Sequence, residues 1–254
     1  MKVRILGCGT STGVPKIGNQ WGQCDPNEPR NSRLRTSILV ESGGSNLLVD
    51  CGPDLRQQLL SAQVGQIDAV IVTHDHGDHV HGIDELRPLA QALEGPIPLY
   101  GSEDTLASLR HRFAYAFEQS EFYRPIVDGR SIAGGERFGD AAMRCVSQPH
   151  GTATSLGLRF DEERRSVAYA IDFSGLTSDM AALYEGADVW IADCLTRSPH
   201  PTHMHLDGVL GHARNLRVGQ LYLVHMGNGL DYRTLVAELP DWAAPAHDGL
   251  EILL

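Results

Sequence analysis

Three histidines and two carboxylates fall within Thr73-His74-Asp75-His76-Gly77-Asp78-His79, directly after the apolar run Ile67-Asp68-Ala69-Val70-Ile71-Val72. A neutral imidazole is the commonest metal ligand, and a neighbouring carboxylate strengthens the hold on a hard or borderline cation. On an extended segment leaving a strand, His74 and His76 point to one side and Asp75 to the other. Gly77 allows a sharp turn, after which Asp78 and His79 face the same cavity. The ligand set therefore takes His74, His76, Asp78 and His79, and leaves Asp75 to orient the loop.

The second half places single residues of the same kind just beyond predicted strands. His150 follows Cys145–Pro149, Asp172 follows Ala168–Ile171, and His225 follows Leu221–Val224. The carboxyl end of a strand is a common place for a site. Each residue alone reads equally as a capped or core-satisfied side chain. Together with the first motif they make seven ligands, enough for two cations if Asp172 bridges. By position, His74, His76 and His150 serve one cation and Asp78, His79 and His225 the other. Nitrogen-rich sites suit zinc, with manganese or iron as alternatives. Two cations about 3.5–4 Å apart can hold a hydroxide at neutral pH and clamp a phosphoryl or acyl transfer.

The elements that must position these residues follow from pattern. Val3–Leu6 reads as a strand, and 8–34 as a long Gly/Pro/Asn/Asp-rich loop of the kind that usually carries function. Thr36–Glu41 and Leu47–Asp50 read as a hairpin about the turn 42–46, with a helix starting at Pro53 and running to Ala62. Helices are expected at 83–93 and 102–116 around the strand Ile97–Tyr100, while 117–135 carries no assignable pattern. Strands follow at 142–147, 155–160, 166–171, 188–192, 220–224 and 250–253, with helices at 178–184, 206–216 and 231–237. No internal repeat or linker is visible, and the whole chain 1–254 reads as a single α/β domain: two packed sheets with helices outside.

The 254 residues carry a net charge of −11, which argues against duplex nucleic acid or an anionic membrane as partner. A small anionic substrate stays open, because cations supply local positive charge. Five cysteines scattered at 8, 24, 51, 145 and 194 suggest no disulfide framework and a reducing, cytoplasmic setting. The amino-terminal residues lack a secretory apolar region, and no run reaches 18 apolar residues, so neither export nor a membrane span is expected.

With Thr-His-x-His-x-Asp-His followed by His, Asp and His at later strand ends, the sequence resembles the metallo-β-lactamase superfamily over essentially its whole length. Gly7-Cys8-Gly9-Thr10-Ser11-Thr12-Gly13-Val14-Pro15 and the segment Asn31, Arg33, Arg35, Ser37 make it similar to the PhnP-like cyclic phosphodiesterase branch. The resemblance implies an αββα sandwich with a dinuclear metal site at the sheet edges, and hydrolysis of ribose cyclic phosphates or 2′,3′-cyclic nucleotides. A homodimer is implied by resemblance only. Many members of the branch bind a structural zinc through four cysteines. Here Asn19, Trp21 and Cys24 stand in the first loop, and Cys8 with Cys24 cannot close a tetrahedral site, so no third zinc is expected.

Expulsion of an alkoxide needs a proton, and a positioned imidazole contributes about 10²–10⁴-fold. Within Ser198–Leu206, His203 matches the histidine that serves this role in the branch, His200 is the runner-up, and His205 starts a helix. An exposed His-rich loop is the plain alternative. Arg33 and Arg35 are candidates to grip phosphate through their planar forks, a surface salt bridge being the other reading. His81, Asp50 and Asp193 are candidates to orient ligands; His111, His212 and His247 read as solvated.

The expected function is metal-dependent hydrolysis of a small phosphodiester or nucleotide by metal-bound hydroxide, with Asp78 in the centre and His203 as general acid. The alternatives are pre-tRNA cleavage of the tRNase Z kind, thioester hydrolysis of the glyoxalase II kind, and a non-catalytic metal or nucleotide module. Charge and the lack of a tRNA-gripping insertion disfavour the first, the lack of a helical extension the second, and the intact ligand set the third.

Overall fold

The computed structural model describes residues 1–254 and arranges them around two seven-stranded sheets. The first half supplies β1 (Lys2–Gly7), β2 (Ser37–Ser42), β3 (Ser45–Val49), α1 (Leu55–Ala62), β4 (Ala69–Ile71), α2 (Gly77–Val80), α3 (Arg87–Ala92), β5 (Ile97–Gly101), α4 (Glu103–Arg112), α5 (Ala114–Phe117) and β6 (Val127–Ser131). The second supplies β7 (Arg137–Phe138), β8 (Ala141–His150), β9 (Ala153–Glu162), β10 (Arg165–Ala170), α6 (Ser178–Tyr184), β11 (Val189–Asp193), α7 (Leu206–Leu216), β12 (Gln220–Val224), α8 (Tyr232–Glu238), β13 (Ala243–Pro245) and β14 (Glu251–Leu253). The last strand crosses back to pair antiparallel with β1. The expected α/β sandwich of two sheets with outer helices is what the chain forms.

The apolar runs are explained by strands buried on both faces. In β2, Ile38 and Val40 point into the core between the sheets while Leu39 points to the helices; in β3, Leu47 and Val49 do the same around Leu48. Across the interlayer, Phe160 and Tyr169 of the second sheet are fully buried, while Trp190 is buried on the opposite face against Tyr184 of α6. Leu55, Leu59, Leu106 and Leu109 of α1 and α4 cover the outer face of the first sheet.

Several boundaries differ from expectation, each for a local reason. The hairpin turn is tighter than 42–46: Gly43 (φ 53°) and Gly44 (φ 81°) make it alone, as a two-residue turn requires. Pro53 lies outside α1, where Asp54 occupies the cap. The helix expected over 83–93 is a 3-10 turn, Ile83–Leu86, followed by α3, because Pro88 is tolerated only in the first turn of a new helix. That expected over 102–116 breaks at Phe113, whose backbone leaves the helical region. Its start is as read: the Ser102 hydroxyl accepts the Thr105 N–H at 3.2 Å, as a capping serine does. The unassigned segment 117–135 contains β6.

The two sheets repeat one topology, which the sequence does not display. From β14 through β1, β2 and β3 to β4, β5 and β6, the pairings run three antiparallel, then three parallel; from β7 through β8, β9 and β10 to β11, β12 and β13 they run the same way. Each half also repeats one clamp. Ser37 of β2 donates to the carbonyls of Val49 and Asp50 (3.0 and 2.9 Å), and Ser155 of β9 to those of Ile171 and Asp172 (3.1 and 2.8 Å). Each clamp holds an aspartate in the left-handed region, Asp50 at φ 65° and Asp172 at φ 51°. A short polar side chain tolerates that backbone best.

Candidate metal centre

The carboxyl ends of β4, β8, β10 and β12 converge on one rim and bring the seven expected side chains together. The imidazoles of His74, His76 and His150 offer nitrogens that lie within 4.8 Å of one another, and so do the ligand atoms of Asp78, His79 and His225. Asp172 stands between the groups. One oxygen lies 2.8 Å from His79 Nε2 and 3.7 Å from His74 Nε2; the other lies 3.3 Å from His225 Nε2. His225 itself has φ 57°, a strained backbone for a ring-bearing residue and of a kind that gathers at functional sites. His76 alone of the histidines in this set is exposed.

The second ring nitrogens are held from behind. His79 Nδ1 donates to Asp50 (2.8 Å), His150 Nδ1 to the Thr202 carbonyl (2.9 Å), and His74 Nδ1 meets the Thr73 hydroxyl (3.1 Å). Asp50 is fully buried and also accepts the Thr73 N–H at 2.8 Å. These contacts aim Nε2 of His74 and His79 at Asp172. Nε2 of His74, Nε2 of His79 and Oδ2 of Asp172 are buried without a hydrogen-bond partner. Three orphaned ligand atoms on one small volume cost about 1–3 kcal/mol each when nothing satisfies them, and a divalent cation would. The residues therefore fit a metal.

Electrostatics divides the cluster. Burial opposes a charged His79, but Asp50, Asp78 and Asp172 around it outweigh burial and hold its pKa well above the usual imidazole range. Burial also works against an ionised Asp172, yet His225 and His79 hold it well below the usual carboxylate range. At His74 the pull of Asp172 is outweighed: burial first, then its histidine neighbours, push its pKa well down. His203 stands beside the ligands, with Nδ1 3.0 Å from Asp193 and 3.1 Å from Asp172. Burial lowers its affinity for a proton, but the hydrogen bonds to those carboxylates raise its pKa to about 10. Its Nε2 is left for the adjoining cavity of about 260 Å³, lined by Ser11, His76, Asp78, His150, Thr152, Ala153, Asp172, Thr202, His203 and His225.

Not every candidate lies here. Arg33 is 2% exposed, and its guanidinium donates to the carbonyls of Gly227 (3.2 Å) and Leu230 (2.6 Å) and to Asn31 (3.2 Å). It ties the first loop to the segment after β12 and cannot reach a substrate, which corrects the phosphate-gripping expectation. Arg35 spends its fork on Asp54 (2.9 Å) and its Nε on the Ser11 carbonyl (3.2 Å), so the salt-bridge reading holds and it braces the cavity wall. His200 is exposed, its ring centroid 5.3 Å from that of His203. His81 contacts Arg112 at 2.8 Å and orients no ligand. Asp75 faces away toward Ser108 and Arg112. His212 and His247 are half-buried, unlike the exposed His111. Cys8 donates to the Ala246 carbonyl (3.6 Å) and Cys24 to that of Leu230 (3.5 Å), and burial raises both thiol pKa values. Thr152, Thr202 and the clamp Ser155 carried no signal in the sequence; Thr73, inside the ligand motif, and Ser11, inside the motif Gly7–Pro15, could have been read.

Comparison with known proteins agrees with this geometry. The family model described as the beta-lactamase superfamily domain matches residues 45–226. The crystal structure of a diphosphatase from the PhnP family superposes with a TM-score of 0.89 at 34% identity, over 99% of this chain and 96% of that one. Zinc-bound PqqB from Methylobacterium extorquens shares the fold, with a TM-score of 0.80 at 23% identity over all of both chains. An octanoyltransferase of Porphyromonas gingivalis is 28% identical over 100% of this chain, which spans only 52% of that protein's length.

Proposed function

Because the chain belongs to the beta-lactamase superfamily, and within it to the PhnP family, we propose that this hydrolase cleaves a small phosphodiester, of the cyclic ribose phosphate or 2′,3′-cyclic nucleotide type. His74, His76 and His150 would hold one divalent cation, Asp78, His79 and His225 a second, and Asp172 would be shared. Zinc suits the nitrogen-rich set, and PqqB, which shares the fold, is zinc-bound; manganese and iron are the alternatives. When bound, such cations supply positive charge against the phosphoryl oxygens and acidify water near neutral pH.

The chain's own groups do the rest. Asp193 and Asp172 grip Nδ1 of His203 and raise the ring's affinity for a proton. Nε2 then presents a proton to the cavity, where the departing alkoxide needs one. Asp50 and the Thr202 carbonyl accept from Nδ1 of His79 and His150, which leaves Nε2 as the atom each would offer a cation. Arg35 steadies the Ser11 wall. A cavity of about 260 Å³ accommodates a sugar phosphate. The observation that carries the reading is an imidazole, His203, whose Nδ1 meets two buried carboxylates at 3.0 and 3.1 Å at the lip of a cation-ready cluster.

Protein loaded with zinc or manganese should hydrolyse bis(p-nitrophenyl) phosphate and 2′,3′-cyclic nucleotides and leave nitrocefin and S-lactoylglutathione intact. Hydrolysis that survives Asp172→Ala or His76→Ala would overturn it.

A further inference from the structure

Asp75 and His81 flank the expected ligands without touching one, yet a single side chain holds both. Arg112, the last residue of α4, donates through Nη1 to the Asp75 carbonyl and through Nη2 to His81 Nε2 at 2.8 Å. Nη1 also lies 3.6 Å from the Asp75 carboxylate, which accepts from the Ser108 hydroxyl. Ser108 and Arg112 stand one turn apart, so they share a face of the helix. The guanidinium lies over the Phe113 ring, 5.3 Å from its centre, and that ring meets His81 at 72° with centroids 6.0 Å apart. Its platform is firm, because Ser102 caps α4 and Leu106 and Leu109 are buried against the first sheet. Gly77 belongs to the same arrangement. Its backbone is not left-handed; what demands glycine there is the His81 ring, which a Cβ would meet at 2.8 Å.

The loop that Arg112 grips has little else to hold it. Outside residues 73–81, the backbone of 75–77 makes one hydrogen bond, the one that the Asp75 carbonyl accepts from Arg112. By His79 the chain is secured differently, its carbonyl accepting the Cys51 N–H at 2.8 Å. The contrast bears on His76. His74 and His150 are held through Nδ1 by the Thr73 hydroxyl and the Thr202 carbonyl, whereas the exposed His76 ring makes no hydrogen bond. Its direction is set by its backbone alone. The Asp75 carbonyl lies in one peptide plane with the His76 N–H, so a bond that fixes the first orients the second.

We infer that Arg112 is a positioning residue of the metal centre. It acts through Asp75 and His81 to aim His76, and so strengthens the hold of His74, His76 and His150 on their cation. The set of Asp78, His79 and His225 does not depend on it. The inference rests on the proposed division of the ligands between two cations. Support of this kind behind a ligand is worth about tenfold in metal affinity. Arginine suits the role because its planar fork serves two acceptors at once, where a lysine serves one.

The test is calorimetric titration of the full chain, stripped of metal, with zinc. The unmodified protein should bind two ions. Arg112→Met should weaken one of them about tenfold and leave the other unchanged, with the urea unfolding midpoint of the metal-free chain in place. Arg112→Lys should recover part of the loss. Added to His225→Ala, which breaks the second set, Arg112→Met should still show the loss; added to His150→Ala, it should show none. Equal weakening of both ions, no weakening, or a fall in the unfolding midpoint that accounts for the loss would overturn the inference. So would a loss of the same size in Arg110→Met, whose guanidinium holds the Gly129 carbonyl from the same helix. Uptake of a single ion by the unmodified protein would sink the two-cation reading, and the loss at that ion, or its absence, would still decide the role of Arg112.

Discussion

Replacing Asp50 tests whether the cluster is set by the tautomers of its histidines. Asp50 is fully buried; it accepts from Thr73 N–H at 2.8 Å, from the Thr73 hydroxyl at 3.0 Å and from His79 Nδ1 at 2.8 Å. Asp50→Ala strips three buried donors, the Thr73 N–H, the Thr73 hydroxyl and His79 Nδ1, of their acceptor. At about 1–3 kcal/mol for each orphaned group, with the His79 contact at the upper end because it is charge-assisted, the loss is about 3–5 kcal/mol. Asp50→Asn is the sharper probe. Its amide oxygen can still serve Thr73, so stability should fall by only about 1–2 kcal/mol. Its amide NH₂, however, must donate to His79 Nδ1, and the ring hydrogen then moves to Nε2, which faces Asp172 at 2.8 Å and Asp78 at 3.1 Å. A protonated Nε2 cannot ligate. Guanidinium unfolding should rank the asparagine variant close to the parent and the alanine variant far below it. Calorimetric titration with zinc should show about a 10–100-fold loss of affinity in both. An asparagine variant with parental zinc affinity would refute the tautomer argument, whatever its stability.

Three further outcomes are expected. His203→Ala should lose about 10²–10⁴-fold in kcat on 2′,3′-cyclic nucleotides and much less on bis(p-nitrophenyl) phosphate, whose leaving group needs no proton; equal losses would remove His203 from the acid role. Burial raises Asp248 from the ordinary 3.8 to about 6. A raised pKa gives a stability contribution that is full below the unfolded value and lost as pH rises through about 6. Unfolding free energy should therefore fall, relative to Asp248→Asn, by up to about 3 kcal/mol between pH 4 and 7, and a flat difference would contradict the buried-carboxylate account. A methyl group at Gly157 would collide with the Tyr184 hydroxyl and with Gln148, which hydrogen-bond each other at 2.7 Å and hold the Ile171 carbonyl before Asp172. Gly157→Ala should cost about 2–4 kcal/mol in denaturant unfolding, and an unshifted midpoint would count against that network.

What could be read from the chain alone was whatever repeats over a few residues. Alternation placed most strands, capping residues such as Ser102 placed helix starts, and the spacing of His74, His76, Asp78 and His79 announced cation chemistry, because side-chain direction along a strand or turn is a local property. Pro88 ends the preceding helical run by the same kind of local rule, whereas nothing local marks the break at Phe113. Tertiary structure decided the matters that depend on partners far along the chain. Arg33 and Arg35 stand two residues apart in one motif, yet one is turned onto the carbonyls of Gly227 and Leu230 and the other onto Asp54 and Ser11. His203 and His200 are alike in sequence, and only the tertiary approach of Asp172 and Asp193 sets one of them against two buried carboxylates. The repeated topology leaves no trace in the sequence because strand pairing is set by backbone hydrogen bonds, which any apolar side chain permits. The ends of those paired strands carry Asp50 and Asp172 to equivalent places, one behind a histidine and the other in front of it.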